Sequence, residues 1–201
     1  MSTPPIAIID SGGANIASLQ FALRRLGQDS VLTTNAAAIR AAARVILPGV
    51  GAARNAMHKL RQHGLVDVIR QLTQPVLGVC LGMQLLAEAS GEDDVECLGV
   101  IPGVAARLPG SPEFPVPNMG WCPTQKTGED AVLDGVDDGA WFYFVHSYAL
   151  PVSAITLASA EHVHRFAAVV RQDNFLATQF HPERSSAAGA RLLQNFLHWQ
   201  P

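Results

Sequence analysis

Apolar residues follow two different rhythms along the 201 residues. In the first half, short continuous apolar runs alternate with runs at helical spacing. "PIAIID" (5–10) reads as a buried strand that stops at a glycine turn. "ANIASLQFALRRLG" (14–27) sets Ile16, Leu19, Phe21, Leu23 and Leu26 at helical spacing and closes on Gly27. "SVLTT" (30–34) and "RVILPG" (44–49) predict the next two strands, the second ending in Pro-Gly. A helical stretch then runs from "ARNAMHKLRQHG" through "LVDVIRQL". "PVLGVC" (75–80) predicts a fourth strand and "LGMQLLAEA" (81–89) a helix. Fully apolar strands that alternate with helices imply a parallel sheet covered on both faces.

From about residue 95 to 180 the rhythm changes, and Pro and Gly punctuate short β-type runs. These are "VIPGVAARL", "WFYFVHSYAL", "AITLASA", "AAVVRQ" and "FLATQF", which predict hairpins and mixed strands attached to the parallel core. The chain closes with "SSAAGARLLQNFLHW" (185–199), a helix with Ser185 or Ser186 as candidate cap and Leu192, Leu193, Phe196 and Leu197 facing inward. The expected class is α/β: a mostly parallel central sheet flanked by helices, with antiparallel β-hairpins added in the second half. No internal repeat or linker interrupts the pattern, so residues 1–201 are expected to form a single domain.

Composition narrows the partners. At 48% hydrophobic residues the chain is able to bury a core. The formal net charge is −3 and Lys and Arg form no dense run, which argues against nucleic acid. The N-terminal apolar run is short and lacks a basic lead, unlike a signal peptide. No uncharged apolar stretch is long enough to span a bilayer, so no membrane association is expected. Cys80, Cys97 and Cys122 are odd in number and form no CxxC pair, which argues against a disulfide framework or a zinc ribbon. Reduced thiols and a cytoplasmic location are the expectation, with no metal and no cofactor.

The chemistry concentrates at "VLGVCLGMQLL" (76–86). Gly78-Val79-Cys80-Leu81-Gly82 sits where a strand turns into a helix, and small residues frame the cysteine as in a nucleophile elbow. A buried structural cysteine would not need that frame. Backbone N–H groups at the start of the following helix favour negative charge at the sulfur and on an oxyanion. "TQFHPERS" (178–185) supplies a base: His181 follows a strand-like run, and in an extended chain Glu183, two residues on, lies on the same side to orient the imidazole. That is nucleophile, base and orienter with Cys in place of Ser. In "LPGVGAARN" (47–55), glycines allow close backbone approach, so an amide near Gly49–Val50 becomes a second oxyanion donor beside the N–H of Leu81. The loop has neither a GxGxxG nor a P-loop pattern and is not read as a nucleotide site.

PGVG, GVCLGMQ and QFHPE, in this order, resemble class I glutamine amidotransferases with a Cys-His-Glu triad, over essentially the whole chain. "PNMGW", "FYFVHSY" and "QFHPERS" are similar, more narrowly, to the glutaminase subunits of imidazole glycerol phosphate synthases. The resemblance implies a class I amidotransferase fold with a flavodoxin-like core, and a reaction. Cys80 would attack the side-chain amide of glutamine, His181 would protonate the departing ammonia, and Glu183 would orient His181. It implies an oxyanion hole from Gly49, Val50 and Leu81. It places Gly51, Gln84, Glu92, Ser147 and Tyr148 at the substrate. It implies a heterodimer with a (β/α)8 cyclase subunit that consumes the ammonia, with Asn15, Trp121, Tyr143 and Arg184 near that partner. Trp121 and Tyr143 would equally suit a core. Departures from the family pattern are Ala14 for the second loop glycine, Asn118 where His is usual, Cys122 where Asn is usual, and Arg184 where Lys is usual.

Other classes fit less well. An amidotransferase serving anthranilate or guanylate synthesis is disfavoured by the short length and "FVHSY". A catalytically silent module would be expected to have lost Cys, His or Glu. An α/β-hydrolase would be expected to place its acid before the His. His162-x-His164 has no third ligand in view as a metal site, and Cys97 and Cys122 read as packing thiols.

Overall fold

The computed structural model describes residues 5–12 and 16–201. Asn15 and Ala14 therefore lie outside the described residues. The alternating first half builds β1 (Ile6–Ile9), α1 (Ile16–Arg25), β2 (Ser30–Thr33), α2 (Ala36–Ala41), β3 (Val45–Gly49), α3 (Ala53–Gln62), α4 (Leu65–Arg70), β4 (Val76–Cys80) and α5 (Leu81–Leu86). There follow β5 (Ala87–Ser90), β6 (Val95–Glu96), β7 (Ile101–Arg107), β8 (Asn118–Pro123), β9 (Gln125–Lys126), β10 (Trp141–His146), β11 (Tyr148–Ala149), β12 (Thr156–His162), β13 (His164–Gln172), β14 (Phe175–Thr178) and α6 (Ser186–His198).

Eight strands form one sheet in the order β2-β1-β3-β4-β14-β13-β12-β9. From β2 to β14 neighbours run parallel, and from β14 to β9 they run antiparallel. The parallel strands are apolar on both sides because both faces are covered. Ala7, Ile9, Val45 and Leu47 pack with α3 and α4, while Ile6, Ile8, Ile46 and Leu77 pack with α1 and α6. Two small sheets are added: a β8–β10 ribbon, and β11-β7-β5-β6. This is the expected mixed architecture, with β14 seated inside the main sheet rather than appended to it. Among the described residues, no helix is long and apolar enough to cross a membrane.

Five local expectations are corrected. A short helix, α2, was not anticipated; the Asn35 side chain caps it by accepting from the Ala38 N–H at 3.0 Å. The single helical stretch after residue 53 breaks in two at Gly64, whose φ of +64° ends α3 and starts α4. The helix after Cys80 ends at Leu86, and Ala87–Ser90 pairs as a strand with β6 and β7. Phe21 faces solvent at 56% exposure, so the buried stripe of α1 is Leu19, Ala22 and Leu23. In α6, Leu192, Leu193 and Phe196 are buried but Leu197 only partly, and Ser185 occupies the cap position without making a cap bond.

Candidate active site

Cys80 is the last residue of β4 and directly precedes α5. Its φ is +54° and ψ −111°, a strained conformation for a residue with a side chain. The surroundings leave no alternative. A Cβ on Gly82 would lie 1.8 Å from the Leu47 carbonyl oxygen, and one on Gly78 2.7 Å from Leu86 Cδ1. The two framing glycines let α5 sit flush against β3 and β4, which forces the chain to turn sharply at Cys80.

The thiol points to a cavity of about 480 Å³. Val50, Gly51, Leu81, Gln84, Glu92, Ser147, Tyr148, His181 and Arg184 line it with Cys80, so most of the anticipated site residues converge there. Gly49 does not line this cavity. It is paired in register with Cys80 on the neighbouring strand, and a Cβ on it would lie 2.9 Å from Leu81 Cβ. Glu183 lies behind His181, with its side chain only 3% exposed.

His181 Nδ1 is 2.9 Å from Glu183 Oε1. The expected pairing exists, but not through an extended chain: Pro182–Arg184 form a 3-10 turn that swings the carboxylate under the ring. Burial pulls the His181 pKa down, but the Cys80 sulfur and the Glu183 carboxylate outweigh it, and the imidazole is pushed up to about 10. An imidazolium beside the sulfur favours negative charge there and holds a proton ready for a leaving group. Burial pushes Cys97 up to about 11, and burial also raises Cys122. Both are poor nucleophiles on that account.

Several residues at the site escaped the sequence reading. The Cys80 thiol donates to the Val145 carbonyl at 3.7 Å, and the amide of fully buried Gln179 donates to the sulfur at 3.9 Å. Gln84 donates to the Tyr148 carbonyl at 2.9 Å and to Gln179 Oε1 at 3.2 Å, so its amide hydrogens are spent within the protein. Glu92 Oε2 accepts from the Ala53 N–H at 3.0 Å, at the start of α3 where Ala52 offers no side-chain cap. His146 lies at the cavity wall, where burial lowers its pKa to about 4 against the opposing Tyr148 carbonyl bond. It is a neutral ring at neutral pH. Val145 and Gln179 lie within the quoted motifs FYFVHSY and QFHPERS but were given no role there, because one acts through its carbonyl and the other from a buried position.

Two departures from the family pattern prove to be neighbours. Asn118 Nδ2 lies 3.2 Å from His146 Nε2, and the Cys122 thiol donates to Asn118 Oδ1 at 3.5 Å. Asn118 and Cys122 thus satisfy each other beneath the ribbon. The outer face of that ribbon is apolar and open. Met119 is 65% exposed, Trp121 46% and Trp141 57%, whereas Phe142 and Phe144 on the inner face are buried. Trp121 meets Tyr143 edge to face at 6.0 Å, and the Arg184 guanidinium lies 4.3 Å above the Tyr143 ring. Arg184 also reaches the cavity, so this stack joins the ribbon face to the cavity mouth. His162 and His164 do not form a ligand pair: His162 is buried with its ring against Phe114, and His164 is exposed.

Residues 7–199 match the family described as glutamine amidotransferase class-I. The chain is 50% identical over 192 residues to the imidazole glycerol phosphate synthase subunit HisH of Xanthomonas axonopodis pv. citri (strain 306), covering 96% of each. It is equally 50% identical, over 96% of each chain, to subunit HisH 2 of Legionella pneumophila (strain Paris). A crystal structure of a glutamine amidotransferase from Thermotoga maritima superposes with a TM-score of 0.70 at 16% identity, over 98% of each chain, a likeness of fold. With a cysteine at a strained elbow, a paired His and Glu beside it and this similarity along nearly its full length, the chain belongs to the class I glutamine amidotransferase family.

Proposed function

We propose that the chain is the glutaminase subunit of an imidazole glycerol phosphate synthase, acting in histidine biosynthesis. Residues 1–201 form one glutaminase domain. The observation that carries the chemistry is the His181–Glu183 pair, 2.9 Å apart, set beside the Cys80 sulfur in a cavity large enough for an amino acid.

The Cys80 sulfur attacks the side-chain carbonyl carbon of glutamine. The oxyanion of the tetrahedral species is met by the backbone N–H groups of Leu81 and of Val50, after reorientation of the Gly49–Val50 peptide. His181 gives its proton to the departing nitrogen, the C–N bond breaks, and a γ-glutamyl thioester remains on Cys80. Water then attacks the thioester while His181 takes its proton back, and glutamate leaves. Glu183 keeps the imidazole in one orientation throughout. The carboxylate of Glu92 faces the ammonium group of the substrate. Gln84 contributes through its carbonyl oxygen, since its amide hydrogens are already used. Gly51, Ser147 and Tyr148 complete the wall.

Ammonia in water at neutral pH is mostly ammonium, which is no nucleophile, so a closed path to the next active site keeps it useful. The partner is the (β/α)8 cyclase subunit, docked on the ribbon face around Trp121, Tyr143 and Arg184. There the ammonia is used on a phosphoribulosyl-formimino aminoimidazole carboxamide ribonucleotide to form imidazole glycerol phosphate and the aminoimidazole carboxamide ribonucleotide. Such a heterodimer works in the cytoplasm. The test is glutamate release from glutamine, by the chain alone and then with the cyclase subunit and its nucleotide ligand. A large rise only with both supports a gated subunit. Equal activity without the partner would remove the synthase assignment.

A further inference from the structure

Ser185 stands where a helix cap belongs and caps nothing. It is fully buried at the start of α6, yet its side chain bonds no helix N–H. A serine in that place ordinarily satisfies a free amide of the first turn. Here the hydroxyl donates to the His181 carbonyl at 2.7 Å and accepts from the Tyr143 N–H at 3.0 Å. The His181 N–H returns to the Tyr143 carbonyl at 3.0 Å. Three short bonds thus close a ring between the backbone of His181 and the backbone of Tyr143.

That ring changes what β10 is. One edge of the strand pairs with β8, and the other carries the segment around His181. Two residues further along, the Val145 carbonyl on this strand accepts from the Cys80 thiol. The side chain of Tyr143 meanwhile lies in the stack of Trp121 and Arg184. One strand therefore holds both the sulfur and the imidazole backbone, and shows an open apolar face to solvent.

We infer that Ser185 is a positioning residue: its hydroxyl fastens His181 to β10, so that a protein docked on the Met119–Trp121–Tyr143 face moves the imidazole through that bond. The transmission half of this rests on the reading of the chain as a partner-bound glutaminase subunit. A Cβ on Gly189 would lie 2.0 Å from the Pro182 carbonyl oxygen and 2.8 Å from Ser185 Cβ, so the glycine lets the first turn of α6 close directly on this segment.

The test compares wild type with Ser185→Ala, which removes the hydroxyl, and Ser185→Cys, which keeps the shape but offers only a weak donor and acceptor. Each is assayed for glutamate release alone and with saturating cyclase subunit and nucleotide ligand, for cyclase affinity by calorimetry, and for kcat against pH. A shift of about 1 Å at a reacting group costs about 100-fold in rate. The expected result is therefore that Ser185→Ala binds the cyclase as wild type does, yet loses at least about ten-fold of the rate gain on docking. Ser185→Cys falls between and serves alone if the alanine variant does not fold. An undiminished rate gain in a variant that is merely less heat-stable would overturn the inference. If wild type gains nothing from the cyclase, the subunit reading fails instead. The positioning role is then decided by the isolated chain: a lower kcat with a shifted pH profile at unchanged KM upholds it, and an unchanged kcat and profile reject it.

Discussion

Cys80 and His181 reach the same cavity from regions built on different principles. The cysteine stands at the end of β4 in the parallel half of the sheet, where Val76, Leu77 and Val79 are buried and both framing glycines touch neighbouring atoms. Packing holds it. The histidine stands after β14, immediately before a 3-10 turn, in a segment tied to the two-stranded β8–β10 ribbon by hydrogen bonds. One face of that ribbon is buried and the other is in solvent. The proposed nucleophile is fixed chiefly by close packing in the parallel sheet, and the proposed base chiefly by bonds to a half-exposed ribbon.

Substitutions break this contrast in a definite order. Cys80→Ala removes the nucleophile, and glutamine hydrolysis in the complex should fall by at least about 10,000-fold while docking survives. Glutamate release beside a pull-down of the cyclase reads both. Glu183→Gln should cost about 10,000-fold or somewhat less, because the imidazole loses its orienting charge. It should also change the pH behaviour. The folded pKa of His181, about 10, lies above its ordinary value of 6.5. The stability it contributes is fully present below pH 6.5 and is lost as the pH rises toward 10. Without the Glu183 charge the folded pKa falls, so the loss should begin at the same pH but be smaller and end at a lower pH, which thermal melts across this range will show.

Gly82→Ala probes the packed side of the pair. Its Cβ would lie 1.8 Å from backbone, so the elbow cannot form without moving β3, and a stability loss above about 4 kcal/mol is expected in urea unfolding. Trp121→Ala probes the ribbon side. At 46% exposure the indole holds little of the core, and the loss should appear in cyclase affinity, by about 2 kcal/mol, rather than in urea unfolding. A Trp121 variant that unfolds easily yet binds normally would reverse the contrast.

The packed region was legible in the sequence and the ribbon region much less so. Runs such as "VILPG" and "VLGVC" carry their own instruction, because continuous apolar residues bounded by glycine suit only a strand buried on both faces. The elbow at Cys80 follows from its two glycines. "WFYFVH" marks a strand, but neither which of its faces is buried nor which edge receives His181. The closure of His181 on Glu183 was anticipated, yet by the wrong geometry, since a 3-10 turn rather than an extended chain brings them together. Gln179, Val145 and Ser185 carry no local signal: their roles arise from burial and from backbone groups paired across 99, 65 and 42 residues of sequence. The local pattern offered Ser185 or Ser186 as helix cap; Ser185 takes that position, but its hydroxyl bonds His181 and Tyr143 instead of the helix.

The central claim, that Cys80 carries the acyl group of glutamine, is tested most directly by trapping that group. The complex is mixed with glutamine, quenched in acid within one turnover, digested, and its cysteine peptides are weighed. A γ-glutamyl adduct on the peptide with Cys80, absent from those with Cys97 and Cys122 and abolished by Glu183→Gln or by omitting glutamine, is the predicted result. Glutamate released at the wild-type rate by Cys80→Ala, with no adduct on any cysteine, would contradict it.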